Sequence, residues 1–369
     1  MDGHTSQDAD RSPSPHHAKE RGASKPLFRG GTSDYEAHST DGVPSIRQHL
    51  RSRGISEKGV DIILASWKPG TGKQYRPHLK RWTQFCNRWD IGPFDPTVKN
   101  IINFLFETFN RNVGYELVNT ARSALSSLGI VVNGYRAGNH PLVIRFMKGI
   151  FNLRPPSTRY TETWDVQPVL TMLTSMYPLH ILTLKDLSLK LVMLMALTQA
   201  ARVKTLHLLC TQGMHIDKDF ISVYLRGNIK QCRPTFNIRT VKFQAYSRDS
   251  RLCVCATLKH YLERTEGLRQ EFSQFNDTLL ISYIKPHKPV TKDSISRWIK
   301  TMLYRSGVDT SRFTAGSVRP AAVSKAKAMS IPSACIMSKA GWTRESTFAK
   351  YYDKQIVKEV DSFQEAVLE

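Results

Sequence analysis

Apolar positions recur at intervals of three and four through "SIRQHLRSRG" (45–54), "GVDIILASW" (59–67) and "TGKQYRPHLKRWTQFCNRWDI" (71–91), the spacing that lines one face of a helix. The pattern continues in "DPTVKNIINFLFETFNRN" (95–112), where Asp95 is positioned to cap the helix and Pro96 to sit in its first turn. "ELVNTARSALSSLGIV" and "HPLVIRFMKGIF" complete a set of roughly five helices ending near Leu153. "NLRPPSTRYTETW" (152–164) then breaks the periodicity with Pro155-Pro156 and reads as a linker. Beyond it a long apolar helix over 186–198 runs into "ARVKTLHLL". "DFISVYLRGNIKQ" (219–231) and "FNIRTVKFQAY" (236–246) alternate and are rich in β-branched residues, which predicts strands of a small antiparallel sheet. Helical spacing returns over 254–264, 291–305, 317–329, 332–340 and 344–352. The expected architecture is mainly α with one small antiparallel sheet (α+β): a tail over 1–42, a helical domain over 43–153, a linker over 154–163 and a second domain over 164–369.

Composition changes this picture at two points. Residues 1–42 are rich in Ser, Asp, His and Gly and poor in large apolar side chains, so disorder is expected there. They carry a net charge of −2, while the whole chain carries +22, so residues 43–369 hold +24. A basic excess confined to the folded part is the footprint of a protein that meets polyphosphate. Such a surface also suits RNA or anionic lipid. No apolar run reaches the roughly 18 residues that a membrane span needs, and the longest, "LKLVMLMAL" (189–197), is interrupted by Lys190. No membrane partner is expected. Six scattered cysteines suit a reducing compartment. Cys232, Cys253, Cys255 and His260 match no standard zinc spacing, so no metal and no cofactor is expected.

Candidate chemistry begins with the cations. Lys73, Arg76, Lys80 and Arg81 cluster on the third helix beside Trp82, and are read either as a solvated basic face or as a face that touches phosphates. Metal-free phosphodiester cleavage needs a nucleophile, cations for the charge that builds on the equatorial oxygens, and an acid for the leaving alkoxide. Arginine suits the second task because its planar fork binds two phosphate oxygens and keeps its charge. Two arginines sit among apolar or small residues: Arg202 in "MALTQAARVKTLHLL" and Arg319 in "FTAGSVRPAAVSKAKA".

Arg202, Lys230, Arg319, Trp342 and a C-terminal tyrosine fall in the order found in tyrosine recombinases, the phage-integrase-like superfamily. The 28 residues from Arg202 to Lys230 and the 23 from Arg319 to Trp342 also fit. The wording of "ASWKPGTGKQY", "NTARSALSSLG", "NHPLVIRFMKGIFNLRPP", "YTETWDV" and "AGWTRESTFAKYYDK" most resembles recombinases of DIRS-type and related eukaryotic mobile elements, over about residues 55–356. The resemblance implies a helical, SAM-like core-binding domain and an integrase-like catalytic domain that close on double-stranded DNA as a C-shaped clamp. It implies a tyrosine that forms a 3′-phosphotyrosyl link and frees a 5′-hydroxyl for DNA recombination and integration. A homotetramer on paired sites and a nuclear location follow from the same likeness.

Carried over position by position, Arg202 and Arg319 would clamp the scissile phosphate, and Lys230 on a hairpin would protonate the leaving oxygen. Trp342 takes a place that is His in many members and Trp in others. Two positions depart from the pattern. Gly316 stands where the motif before the second arginine normally has His, leaving Ser317 or water as a partial substitute. Thr205 stands where an acidic residue is frequent. Gly316 keeps a second reading open, a catalytically impaired, recombinase-derived DNA-binding protein. The nine-residue interval from Trp342 points to Tyr351 as nucleophile, while the eukaryotic wording points to Tyr352, which is preferred. Arg226, Arg233, Lys325 and Lys327 are candidate phosphate contacts, His207 a core or capping histidine, and Trp164 an anchor for the linker. After Tyr352, Ile356, Val360 and Phe363 are spaced for one apolar face, suited to a neighbouring subunit or to the chain's own domain.

Overall fold

The computed structural model describes residues 44–156, 161–230, 232, 237–270, 277–342, 345–352 and 354–356. The tail reading of residues 1–42, Arg233, and positions 357–369 with Val360 and Phe363 lie outside them. The chain divides into two compact units, Met1–Ser157 and Thr158–Glu369.

The first unit holds helices α1 (Pro44–Ser52), α2 (Glu57–Ala65), α3 (Pro69–Arg88), α4 (Val98–Phe109), α5 (Tyr115–Ser127) and α6 (Pro141–Leu153). Each of the six periodic segments thus has its helix among the described residues, with Gly54 at φ 79° separating α1 from α2. Trp82, Phe85 and Phe104 form an aromatic centre with ring centroids 5.1–5.7 Å apart, surrounded by Ile101, Leu105, Val118 and Leu125. Trp82 is thus core, and its indole donates to the Pro93 carbonyl at 2.9 Å. The cap of α4 differs from expectation. Thr97, not Asp95, is the N-cap: Asn100 N–H donates to Thr97 Oγ1 at 3.3 Å, while Thr97 N–H donates to Asn100 Oδ1 at 2.8 Å. This reciprocal box satisfies two helix-end donors at once, which a lone Asp95 two residues earlier does not. Strands β1 (Val131–Val132) and β2 (Tyr135–Arg136) are joined by Asn133-Gly134, both at positive φ (50° and 80°), the residue pair a two-residue hairpin favours.

The second unit opens with β3 (Glu162–Thr163) and α7 (Gln167–Ser175), then α8 (Leu184–Thr198), whose residues Leu187 to Ala196 are all buried. Neighbours on every side explain why its apolar run lacks a polar face. Lys190 lies inside that run, fully buried, and donates to the Leu173 and Met176 carbonyls at 2.9 and 2.6 Å. It therefore caps the C-terminal end of α7 with a cation, where helix carbonyls lack partners and the dipole favours positive charge. After α8 come α9 (Val203–His207) and an antiparallel sheet of β4 (Leu209–Ile216), β5 (Phe220–Leu225) and β6 (Thr240–Gln244) in the order β4-β5-β6. The strand expected to reach residue 231 ends at Leu225, so Lys230 lies in the β5–β6 connection and not in a strand. At the end of β5, Leu225 N–H donates to the Arg239 carbonyl on the β6 side and Arg226 N–H to the Leu208 carbonyl on the β4 side. Helices α10 (Val254–Gln270), α11 (Lys292–Arg305), α12 (Val318–Ala328), α13 (Ser333–Ala340) and α14 (Glu345–Tyr351) follow, then β7 (Gln355–Ile356). α10, α11 and α12 pack on α8. β7 pairs in parallel with β3, so Ile356 belongs to a strand of its own unit rather than to an amphipathic helix.

Candidate active site

Two helix starts and one helix end bring the site together. α8 stops where Ala200 adopts φ 42°, a left-handed conformation uncommon for alanine. Arg202 follows in extended backbone as the N-cap residue of α9. Arg319 is the second residue of α12 and is 4% exposed. Gly341, at φ 67°, ends α13 in a left-handed cap, and the Trp342 N–H returns to the Met337 carbonyl at 2.9 Å, which turns the indole inward.

The Arg319 guanidinium ties these pieces together. It donates through Nη1 to the Ala200 carbonyl at 2.7 Å and through Nη2 to the Ala340 carbonyl at 2.5 Å. Its central carbon lies 4.4 Å from the Trp342 ring centroid and 5.3 Å from that of Tyr352. The Trp342 and Tyr352 rings are themselves 4.3 Å apart and inclined by 35°. Burial lowers the Arg319 pKa to about 10, the positive charge of Arg202 adds to that shift, and the neighbouring Tyr352 phenol opposes it. The group stays cationic at neutral pH, held where water does not compensate its charge.

Three buried donors here have no acceptor: Arg202 Nη1, Arg319 Nε and Trp342 Nε1. A buried donor left unmade costs about 1–3 kcal/mol, more when charged. An anion with several oxygens would relieve that cost, and two arginines beside an indole N–H are suited to a phosphodiester. A cleft of ≈ 670 Å³ adjoins Arg319, lined also by Gln199, Thr205, Lys242, Lys339 and Gly341. Lys230 is exposed, directly after Ile229, which is part of the same cleft wall. His207 is held neutral-prone by burial first and then by the nearby charges of Arg226, Lys292 and Lys204.

The structure thus gathers Arg202, Arg319, Trp342 and Tyr352. Gly316 is exposed in the turn before α12, and a Cβ there would meet only Thr314 Oγ1 at 3.7 Å. Ser317 is tied into the scaffold. Its hydroxyl is buried, donates to the Thr314 carbonyl at 2.7 Å and accepts from Trp164 Nε1 at 2.9 Å. Both of its functions serve the scaffold, with Trp164 anchored to the base of α12. Arg226 is ion-paired with Asp277 at 3.2 Å. Lys325 is half-buried on α12, and Lys327 is exposed there. In the first unit Lys73, Arg76 and Lys80 are exposed at helical spacing on α3, with Arg81 half-buried next to them. The side chain of Tyr351 lies outside the described residues. Cys232, Cys253 and Cys255 each engage separate backbone groups, and no group of three or more His, Cys, Asp or Glu is placed to hold a metal among the described residues. No helix among them is long and apolar enough to cross a membrane. The carbonyls of Ala200 and Ala340, which orient Arg319, carry no sequence signal, since any residue supplies a carbonyl.

No protein-family model matches the chain, and no curated protein matches it. Among solved structures, the XerH site-specific recombinase bound to palindromic difH substrate, a post-cleavage complex, superposes with a TM-score of 0.55 at 11% identity, over 91% of this chain and 90% of that one. The Tn1549 transposon integrase in complex with transposon right end DNA gives a TM-score of 0.51 at 9% identity, over 88% and 96%. The chain has the fold of these proteins, mainly helical with a small antiparallel sheet.

Proposed function

We propose that the protein is a tyrosine recombinase that breaks and rejoins double-stranded DNA. The observation that carries this reading is the Tyr352 ring, held against Trp342 and Arg319 beside three buried donors that lack an acceptor. The charge of +24 on residues 43–369 supports it, and so does the fold shared with a site-specific recombinase and a transposon integrase, both solved on DNA.

In this mechanism the Tyr352 oxygen attacks the scissile phosphorus, the bond from phosphorus to the 5′ oxygen breaks, and a 3′-phosphotyrosyl link forms. Arg202 and Arg319 neutralise the oxygens of the pentacoordinate state, and the Trp342 N–H donates to one of them. The phenol proton passes to solvent, and Lys230 gives a proton to the departing 5′ oxygen. The energy of the phosphodiester is kept in the link, so a second strand's 5′-hydroxyl can reverse the step. Each subunit cuts one strand and an exchange cuts four, which calls for a homotetramer on paired sites of duplex DNA. The wording shared with DIRS-type recombinases makes integration of a mobile element in the nucleus the process proposed.

A nicked suicide duplex, which traps the covalent intermediate, tests this. Wild type and Tyr351→Phe should form the adduct, and Tyr352→Phe should not. Loss of adduct from Tyr351→Phe alone would move the nucleophile by one residue. A second reading, a catalytically silent DNA-binding protein, is favoured by one observation: Gly316 has no proton to give and Ser317 is committed to Trp164 and Thr314. Binding without adduct, from wild type and from Gly316→His, would select it.

A further inference from the structure

α12 carries a second buried polar side chain that cleavage does not use. Ser324 is 4% exposed and lies about one and a half turns beyond Arg319. A serine inside a helix commonly turns its hydroxyl back to the carbonyl four residues earlier. Ser324 instead directs it to the chain after the tyrosine. It donates to the Tyr352 carbonyl at 3.2 Å and accepts from the Lys354 N–H at 3.2 Å. One oxygen therefore fixes two backbone groups where the chain leaves α14 and enters β7.

β7 is fastened to the same helix by a second route. Gln355 and Ile356 pair with Glu162 and Thr163 of β3. The Glu162 carboxylate accepts from Arg312 at 2.7 Å, and Trp164, next after β3, donates to Ser317 at the base of α12. Ser324 and this β3–β7 clip thus hold the chain after Tyr352 to the helix that also aims Arg319. α14 itself is only seven residues long, too short to fix a side chain by its own stability.

We propose that Ser324 is a positioning residue for Tyr352, keeping the phenol over Trp342 and against the Arg319 guanidinium. The proposal rests on the reading of Tyr352 as nucleophile. A displacement of about 1 Å can lower a rate by up to 10²-fold, so a device that fixes the exit of the chain acts on the rate and not on DNA binding.

The full chain with Ser324→Ala, Ser324→Cys and Ser324→Thr tests it. Cysteine keeps the volume but is a weak donor and acceptor, and threonine keeps the hydroxyl. Ala and Cys should bind duplex DNA with wild-type affinity and form adduct on nicked DNA about tenfold more slowly, the scale of one or two lost neutral hydrogen bonds. Thr should recover most of the rate. Hydrogen exchange of the peptide spanning 349–356 reads the same contact without cleavage: the Lys354 amide should be protected in wild type and Thr, and exchange about tenfold faster in Ala and Cys. Should Ala fail to fold, Cys and Thr carry the comparison. Wild-type rate and exchange in the Cys form would overturn the proposal, as would fast exchange at Lys354 in wild type. If wild type yields no adduct, the recombinase reading fails, and the exchange data alone decide whether Ser324 places Tyr352.

Discussion

Burial and charge are most opposed at Arg319 and Lys190, and each gives a measurable consequence. Arg319 holds two carbonyls while its Nε waits for an acceptor, so its removal strikes both scaffold and chemistry. Arg319→Ala should cost about 3 kcal/mol or more of transition-state stabilisation, read in single-turnover cleavage. Arg319→Lys should do little better, because an ammonium cannot span two carbonyls and a phosphate with one fork; near-normal cleavage in the Lys form would show that charge alone suffices. Gly316 offers the reverse test. A Cβ there makes only an ordinary contact, with Thr314 Oγ1 at 3.7 Å, so Gly316→His should raise cleavage, up to the roughly 10²–10⁴-fold that a general acid–base contributes. An unchanged rate would mean that the site has dispensed with that acid. Lys190 governs stability rather than catalysis. Burial lowers its pKa to about 8, against 10.5 in the unfolded chain. Below pH 8 both states hold the proton and the folded state bears the full penalty; between 8 and 10.5 only the unfolded state holds it, so stability rises with pH. From pH 7.5 to 9.5 the wild type should gain roughly 1–2 kcal/mol relative to Lys190→Met in urea unfolding. Parallel curves for the two proteins would refute the assignment.

At the scale of elements, the strongly periodic segments were legible and the junctions were not. The helix spacing of the first unit, the apolar run of α8 and the alternation at β5 and β6 each report burial on one face or on all faces, which sequence records directly. β4, whose residues Leu209–Ile216 mix buried and exposed positions around a bulge, was passed over, and the two-residue strands β3 and β7 left no periodicity to detect. Arg202 and Arg319 were legible because a cation among apolar and small residues is costly without a purpose, while Trp342 was reached only through the resemblance to tyrosine recombinases. Ser324 was not, since nothing local marks which serine will meet a chain 28 residues away. The junction between units gives the prediction at this scale. Helices α1–α6 and the elements from β3 onward have separate cores, so residues 43–153 and 160–356 should fold independently. Limited trypsin should cut first near Arg154–Arg159, beside Pro155-Pro156, and remove about the first 40 residues, which are poor in large apolar side chains. First cuts inside 95–150, within the packed helices α4 to α6, would show that the first unit is not a stable body.

For the whole molecule the decisive quantity is charge, because it acts on the partner before any side chain does. On the proposed function, a net +24 over residues 43–369 would draw duplex DNA at long range, and each cation that reached a phosphate would release condensed counterions. Binding to duplex should therefore weaken steeply with salt, the logarithm of the affinity falling by about 0.9 per phosphate contact for each unit in the logarithm of salt concentration. The exposed row Lys73, Arg76 and Lys80 on α3 makes the test specific, since residues three and four apart on a helix share one face. Replacing one of them by Ala should reduce that slope by about 1 and weaken binding equally for all DNA sequences, because phosphate contacts carry no base information. Replacing Lys58 on α2, also exposed, is the comparison for non-specific loss of charge. Equal slopes for the wild type and the α3 variants would assign that row to solvent and leave DNA contact to the second unit. An affinity that is flat between low and moderate salt would remove duplex binding by phosphate contacts altogether, and with it the premise on which Arg202, Arg319 and Tyr352 could act.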